Sequence, residues 1–376
     1  MKFIFSPDDL RTVFAMAKTV KPESNDLCLK FVKDTLILFS SSKRRYVRAM
    51  AVAQSVSDLP SSDYESDEFY ITVDRSELFE SKLDSVSISV TEKSFTIHAS
   101  SADQSRSATL KKRSDVSKRS LIPEYAVIGN KNTVKKSSFI DLIKQVSCSA
   151  QVKETKTEED MRINQIHFYS EKACAVSFTR FYGSVSFLPS VDFDLSIISN
   201  DVPLIKTFCS KCSGDFVYIY SDSSRLFVED PTTKSVLVLS KVSSKKPVLN
   251  LIDRTIFNTE ILLSRDSLIQ SLEWSVTALD GTQRVSLKTS ENESNWFLEF
   301  NNGAQELSKI PVKSVKGDVV CVDFPAKYLL SIIKYTTSDM VILRIGSMSS
   351  TKILEISSDE DGEVKTYHYL NAMKQR

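Results

Sequence analysis

Glycine is scarce in this chain: eight in 376 residues, against an average usage of about 7%. Neither G-x-x-x-x-G-K-[ST] nor G-x-G-x-x-G occurs, so no glycine-rich loop is available to close its backbone on a phosphate. Histidine is scarcer still. The three, His98, His167 and His368, lie far apart. No H-E-x-x-H, no G-x-S-x-G and no defensible pair of carboxylates accompanies them. No apolar run nears the roughly 18 residues of a membrane span. The start, Met1-Lys2-Phe3-Ile4-Phe5, runs at once into Asp8 and Asp9, unlike a signal peptide. With every common catalytic motif missing together, the expectation is a protein that is not an enzyme, holds no metal and needs no cofactor.

Cysteine is present but unorganised. Cys28, Cys174 and Cys321 fall in apolar, strand-like stretches, where a free thiol acts as a small hydrophobe. Cys209 and Cys212 form a lone C-x-x-C without the second pair that a zinc site requires, which leaves a structural reading open beside a redox or metal one. Cysteines without a framework point to a reducing, cytoplasmic compartment. Charge of either sign is also not in excess. Lys+Arg 49 against Asp+Glu 48 gives a net charge of +1, so only the distribution of charge can speak for or against a polyanionic partner. With 41% hydrophobic and 26% charged residues, the composition is that of an ordinary soluble globular protein.

What the chain does have is repetition. Val319–Lys334 reads as a short strand, a helix opened by Pro325, and an apolar stripe of Ala326, Leu329, Leu330 and Ile333 opposite Lys327, Ser331 and Lys334. Strands Met340–Ile345 and Thr351–Ile356 follow. A similar strand–helix–strands unit can be found six times. The helix starts fall near Pro7, Arg75, Ser137, Pro203, Arg265 and Pro325, with gaps by subtraction of 68, 62, 66, 62 and 60 residues. The apolar stripes are Leu10, Val13, Phe14 and Ala17; Leu78, Phe79 and Leu83; Phe139, Leu142, Ile143 and Val146; the helix Pro203–Lys211; then Leu268, Ile269, Leu272 and Val276; and the last helix. The units pair as one-two, three-four and five-six. Charged or proline-bearing linkers, Lys111–Arg119 and Ser243–Pro247, separate the pairs. Three similar α+β domains are therefore expected, at 1–119, 120–246 and 247–376, each a normal domain size.

A helix in such a unit buries one face on a sheet and offers the other to water or a partner. The outer faces carry Arg11 and Lys18, with Lys21 just beyond; Lys135, Lys136 and Lys144; Lys206 and Lys211; and Lys327 and Lys334. One basic face would be simple solvation. Four equivalent ones in a near-neutral chain point to a surface for phosphates without sequence preference. Helices two and five do not follow, carrying Glu77, Glu80 and Glu273.

The last third adds a more specific pattern. Phe300-Asn301-Asn302, Leu307-Ser308-Lys309-Ile310-Pro311-Val312, Gly317, Val322-Asp323-Phe324 and Tyr328-Leu329-Leu330 follow in order. Ser338-Asp339 then precedes a strand, and the end lies near Tyr367. Ile71-Thr72-Val73 and Ser105-Arg106 fit more loosely. On these residues the chain resembles the bacterial-type DNA polymerase sliding clamp, the β subunit family, over its full length. It looks like a divergent member, and a viral source is one explanation for its near-neutral charge.

The resemblance implies three repeated clamp domains, each of two β-α-β-β-β units, with helices lining a ring and sheets outside. Two chains would close head to tail as a homodimer around duplex DNA. The partners implied are a DNA polymerase and an ATP-driven clamp loader, with no membrane. The alternative is a clamp-like DNA-binding replication scaffold that does not close. The resemblance places Phe79, Leu83, Arg106, Ala108 and Leu110 at the dimer interface, facing Thr277, Ala278, Leu307 and Lys309. It places a partner-peptide pocket at Phe178, Thr179, Arg180, Phe181 and Tyr182, with Pro247, Leu251, Tyr369, Leu370 and Met373. There the family's Thr-Asp-Gly-His-Arg-Leu-like turn is replaced by Phe178–Gly183. Packing of Phe178 and Phe181 between strand and core is the competing reading.

Overall fold

The structure is a computed structural model. It describes the chain except for residues 24, 43, 59–62, 80–83, 93, 102–103, 112–130, 151–163, 180–181, 243–254, 279–283, 293–294, 303–304, 349–350, 359–363 and 373–376.

Copy one holds β1 (Lys2–Phe5), α1 (Pro7–Ala17), β2 (Asp26–Val32), β3 (Thr35–Ser42), β4 (Arg45–Val52) and β5 (Ser55–Ser57). Copy two holds β6 (Phe69–Thr72), a 3-10 turn (Asp74–Phe79), β7 (Ser85–Val90), β8 (Ser94–Ser101) and β9 (Gln104–Lys111). Copy three has β10 (Asn132–Lys135), α2 (Lys136–Ser147), β11 (Gln165–Tyr169), β12 (Cys174–Phe178) and β13 (Tyr182–Phe187). Copy four has β14 (Leu195–Ile198), α3 (Val202–Lys211), β15 (Phe216–Ser221), β16 (Arg225–Glu229) and β17 (Val236–Ser240). Copy five has β18 (Ile256–Ser264), α4 (Arg265–Ala278), β19 (Arg284–Asn292), β20 (Asn295–Asn302) and β21 (Gln305–Pro311). Copy six has β22 (Ser314–Gly317), β23 (Cys321–Pro325), α5 (Ala326–Ile333), β24 (Met340–Met348), β25 (Thr351–Ser358) and β26 (Lys365–Asn371). The fold class is α+β, with strands predominating.

The helices form where the apolar stripes predict them. Ser6 caps α1, its Oγ accepting from Asp9 N at 3.4 Å, with Pro7 in the first turn. Asp8 and Asp9 lie where the helix dipole favours negative charge. Leu10, Val13, Phe14 and Ala17 are buried as expected, joined by Met16. Two expectations need correction. The described part of the second helix is a 3-10 turn. In α5, Ile332 takes a core position and Leu330 is only half-buried: the buried stripe runs through Ala326, Leu329, Ile332 and Ile333, three or four residues apart or adjacent across the face.

The chain divides into two compact units, Met1–Ile140 with Asn200–Lys241, and Asp141–Ser199 with Val242–Arg376. In the first unit, one sheet runs β5-β1-β7-β8-β9 and the other β10-β15-β16-β17-β4-β3-β2-β6. Their inner faces meet through aromatics: Phe3 stacks on Phe31 at 4.7 Å and Phe69 lies 5.5 Å from Phe95, centroid to centroid. In the second unit, one sheet runs β14-β11-β12-β13-β26-β25-β24-β18-β22 and the other β21-β20-β19-β23. Its core gathers Leu268 and Leu272 of α4, Leu329, Ile332 and Ile333 of α5, and Leu343, Leu354 and Leu370 of the large sheet.

Each unit therefore contains a junction at which copies that are not neighbours in sequence share a sheet. In the first, β17 of copy four pairs antiparallel with β4 of copy one, Leu237 opposite Val47. In the second, β13 of copy three pairs with β26 of copy six, Ser184 opposite His368.

Candidate functional site

The basic residues anticipated on the helices fall into four groups. Lys21, Lys135, Lys144, Lys206, Lys211 and Lys327 are exposed. They stand opposite or beside faces whose apolar residues, such as Ile205 and Phe208 in α3, are fully buried. Arg11, half-buried, and Lys334, exposed, are both engaged: Arg11 meets Asp8 at 2.8 Å, and Lys334 meets Glu273 at 2.7 Å. Such surface pairs contribute at most about 1 kcal/mol, so a phosphate can compete for either cation. Lys18 is half-buried at the C-terminal cap of α1.

Lys136 differs. Its Nζ donates to the Cys212 carbonyl at 2.9 Å, just past the end of α3, where a cation complements the helix dipole. It is a strut between two elements of the first unit as well as a surface charge. In the second unit, Lys144, Arg265, Lys334, Tyr335, Thr336 and Thr337 line a cleft of about 290 Å³. Arg265 is held there by the end of α5: its Nε and Nη2 donate to the carbonyls of Ile333 and Lys334 at 3.3 and 3.4 Å. The outer face of α4 is acidic and aromatic instead, with Asp266, Glu273 and an exposed Trp274. Glu77 lies in the 3-10 turn, and Glu80 lies outside the described residues.

Around the anticipated peptide pocket, Phe178 ends β12 half-buried, its ring 6.0 Å from that of His167. Thr179 and Tyr182 close a tight turn: Thr179 N donates to the Tyr182 carbonyl at 2.7 Å, and Tyr182 N to Thr179 Oγ1 at 3.1 Å. Arg180 and Phe181, together with Leu83, Pro247, Leu251 and Met373, lie outside the described residues. Tyr182 packs its ring 5.0 Å from that of Tyr328. Burial, then Cys148, Tyr328 and Tyr335, pushes the Tyr182 hydroxyl up to about 12, so it remains a donor at any ordinary pH. Tyr328 is the residue that sequence reasoning missed here. It is visible as part of Tyr328-Leu329-Leu330, but only the fold brings α5 against β13.

Tyr369 is half-buried in β26, with its hydroxyl pushed up by burial and by Glu355. Leu370 corrects the expectation. It is fully buried, opposite Leu354 and Tyr182 in the sheet, and belongs to the second unit's core. The alternation of a strand sends adjacent residues to opposite faces, so Tyr369 and Leu370 cannot line the same surface. A truncation meant to remove only the tail must begin beyond Leu370.

The anticipated interface residues fall largely on two sheet edges. Arg106, Ala108 and Leu110 are on β9, and Leu307 and Lys309 on β21. Among the described residues each of these strands pairs on one side only, β9 with β8 and β21 with β20. The Lys309 ammonium stays on its own sheet, 3.1 Å from Glu299 and 4.7 Å from the Phe297 ring centroid. Thr277 and Ala278 are exposed at the end of α4, and Phe79 ends the 3-10 turn. The four sheets of the described residues have eight ends. Six are strands of 3–5 residues: β5, β6, β10, β14, β22 and β23. The other two, β9 and β21, have 8 and 7 residues.

Among the described residues no group of three or more His, Cys, Asp or Glu could hold a metal. Cys209 and Cys212 are free and buried at the end of α3, and burial pushes the Cys209 thiol up to about 12. Cys321, expected inside, is exposed. It opens β23, and its neighbours Val322 and Phe324 take the inward positions. No described helix is long and apolar enough to cross a membrane.

No protein-family model matches the sequence. No curated protein is similar enough to register as a relative. The fold, however, matches solved structures from end to end. The DNA polymerase III β subunit of Thermotoga maritima is 15% identical with a TM-score of 0.73, and that of Pseudomonas aeruginosa is 12% identical with 0.75; each comparison covers 100% of both chains. The DNA polymerase sliding clamp of Bacillus subtilis is 12% identical with a TM-score of 0.72, again over 100% of both chains. The chain has the fold of these clamps over its full length.

Proposed function

We propose that this chain is a DNA polymerase processivity factor: a sliding clamp that encircles duplex DNA and tethers a replicative polymerase. The observation that carries the reading is the likeness to polymerase III β subunits across the whole of both chains. A shared module would match in part, whereas this match takes in every segment of the chain. The action is topological and non-enzymatic, in the cytoplasm of a bacterium or of a virus's host. An ATP-driven loader places the clamp on DNA.

In this reading the three domains are 1–119, 120–246 and 247–376. Lys21, Lys135, Lys144, Lys206, Lys211 and Lys327 face the duplex, and Arg11 and Lys334 exchange their carboxylates for phosphates. Binding through phosphate alone suits a protein that must not stop at any sequence. The chain closes as a homodimer through β9 of one copy and β21 of the other. Proteins keep exposed edges short. Two long edges beside six short ones support a second copy as their cover.

The experiment is retention on nicked circular DNA against salt. Replacing Lys144, Lys206, Lys211 and Lys327 together by Ala should flatten the slope of log retention constant on log salt by about 0.9 for each phosphate no longer neutralised. The same preparation should have a mass near twice 42.3 kDa. An unchanged slope removes the assigned DNA face. A strict monomer favours a scaffold that does not close.

A further inference from the structure

The β13–β26 ladder contains a buried polar cluster that the clamp reading does not use. Ser184 of β13 and His368 of β26 are cross-strand partners. Ser184 is fully buried and His368 is 1% exposed. The imidazole Nδ1 lies 2.6 Å from Ser184 Oγ and 3.6 Å from Cys148 Sγ. Cys148, just past the end of α2, also lies 3.3 Å from Ser184 Oγ. Ser149 Oγ closes the cluster against Ser184 Oγ. Two positions along, Ser186 and Thr366 share a hydrogen bond of 2.7 Å. The other ring nitrogen, Nε2, is buried with no hydrogen-bond partner among the described residues.

We propose that this ladder is a proton-sensitive junction: neutral His368 locks β26 to β13, and protonation of its imidazole releases the strand. A neutral ring needs only one donor or acceptor at Nδ1, which Ser184 supplies. A protonated ring carries a second N–H at Nε2, where the described residues offer no acceptor, and a buried unpaired donor on a charged ring is costly. Nor do the elements packed around the ring bring a counter-charge to it. From the turn after α2 comes Cys148, whose thiol is kept neutral by burial. β13 brings Ser184 and, opposite Leu370, Tyr182. β25 brings Ile356 opposite the ring. The Glu355 carboxylate lies one residue away in β25, opposite Tyr369, and is engaged with Arg344 at 3.1 Å. From α5 come Tyr328, packed on Tyr182, and the exposed Lys327, with Lys334 just past its end.

Burial alone holds the His368 pKa down to about 4 from 6.5. The group is depressed in the folded chain, so the released strand takes up the proton first. Tightness is complete above about 6.5 and falls as pH drops towards 4. From these two values, opening at pH 5 is favoured about 20-fold over pH 7. Tyr182 lies in the same ladder, opposite Leu370, so release would also loosen its packing against Tyr328.

The test is hydrogen exchange on the full chain at pH 7 and pH 5, corrected for intrinsic exchange, beside an NMR titration of histidine-labelled protein. The β26 amides paired with β13 should open about 20-fold more at pH 5, while β4 amides paired with β17 stay unchanged. His368→Gln, which keeps a polar group and cannot titrate, should abolish the difference. Equal β26 protection at both pH values, a His368 midpoint near 6.5, or an undiminished difference in H368Q would overturn the proposal. If H368Q does not fold, the wild-type titration and exchange decide.

Discussion

The β4–β17 and β13–β26 junctions do the same topological task with different chemistry. Their outer faces are alike. Tyr220, Phe227, Val236 and Val238 cluster with Tyr46 at the first; Cys174, Val176 and Val185 cluster with Phe187 and Tyr369 at the second. Their inner faces are not. The first buries Val47, Leu237 and Leu239 completely and adds an ion pair between Arg45 and the nearly buried Asp201 at 2.7 Å. The second buries Ser184, Ser186 and His368. Apolar burial depends little on the exact position of a neighbour, and its strength does not change with pH. A buried polar cluster holds only while every member keeps its partner and protonation state. One junction is therefore permanent, and the other is conditional.

The largest expected effect is at the permanent junction. Leu237→Ala should cost about 2–5 kcal/mol, the range for a truncated, fully buried leucine, read from urea unfolding. Arg45→Ala removes the guanidinium that is ion-paired with the Asp201 carboxylate. Since half-exposed Arg45 lets water reach the site, about 2 kcal/mol is expected, less than for a fully buried pair, and Arg45→Lys should restore part of it. Ser184→Ala is the smallest, about 1–2 kcal/mol for removing the partner of His368 Nδ1. It should appear as faster exchange in β26 with β4 unaffected. If Ser184→Ala costs as much as Leu237→Ala, the two junctions do not differ in kind.

Much of this was legible in sequence. The apolar stripes of α1, α2 and α3 and the alternation of β2, β3 and β15 are local, because 3.6-residue and two-residue periods assign faces whatever the rest of the chain does. Helix spacing then revealed the six copies. Leu370 and Cys321 were misplaced for a related reason: successive residues of a strand alternate between faces, so an error of one residue exchanges inside for outside. Lys136 read as one more surface charge, since nothing in its neighbours predicts a carbonyl at Cys212. Tyr328 read only as helix. Its meeting with Tyr182 joins residues far apart in the chain, and no local period reports that.

The sequence by itself determined the repeat and most of its helices and strands, together with the inward faces of α1, α2 and α3. Tertiary structure alone decided which strands of different copies pair, which edges remain long and open, and that His368 is enclosed beside Ser184 and Cys148. The reason lies in the backbone. A strand's side-chain alternation specifies a buried face, but its N–H and C=O groups are the same for every partner. Copy four could join any sheet with an open edge. Only the packing of inner faces, apolar at β4–β17 and polar at β13–β26, selects one.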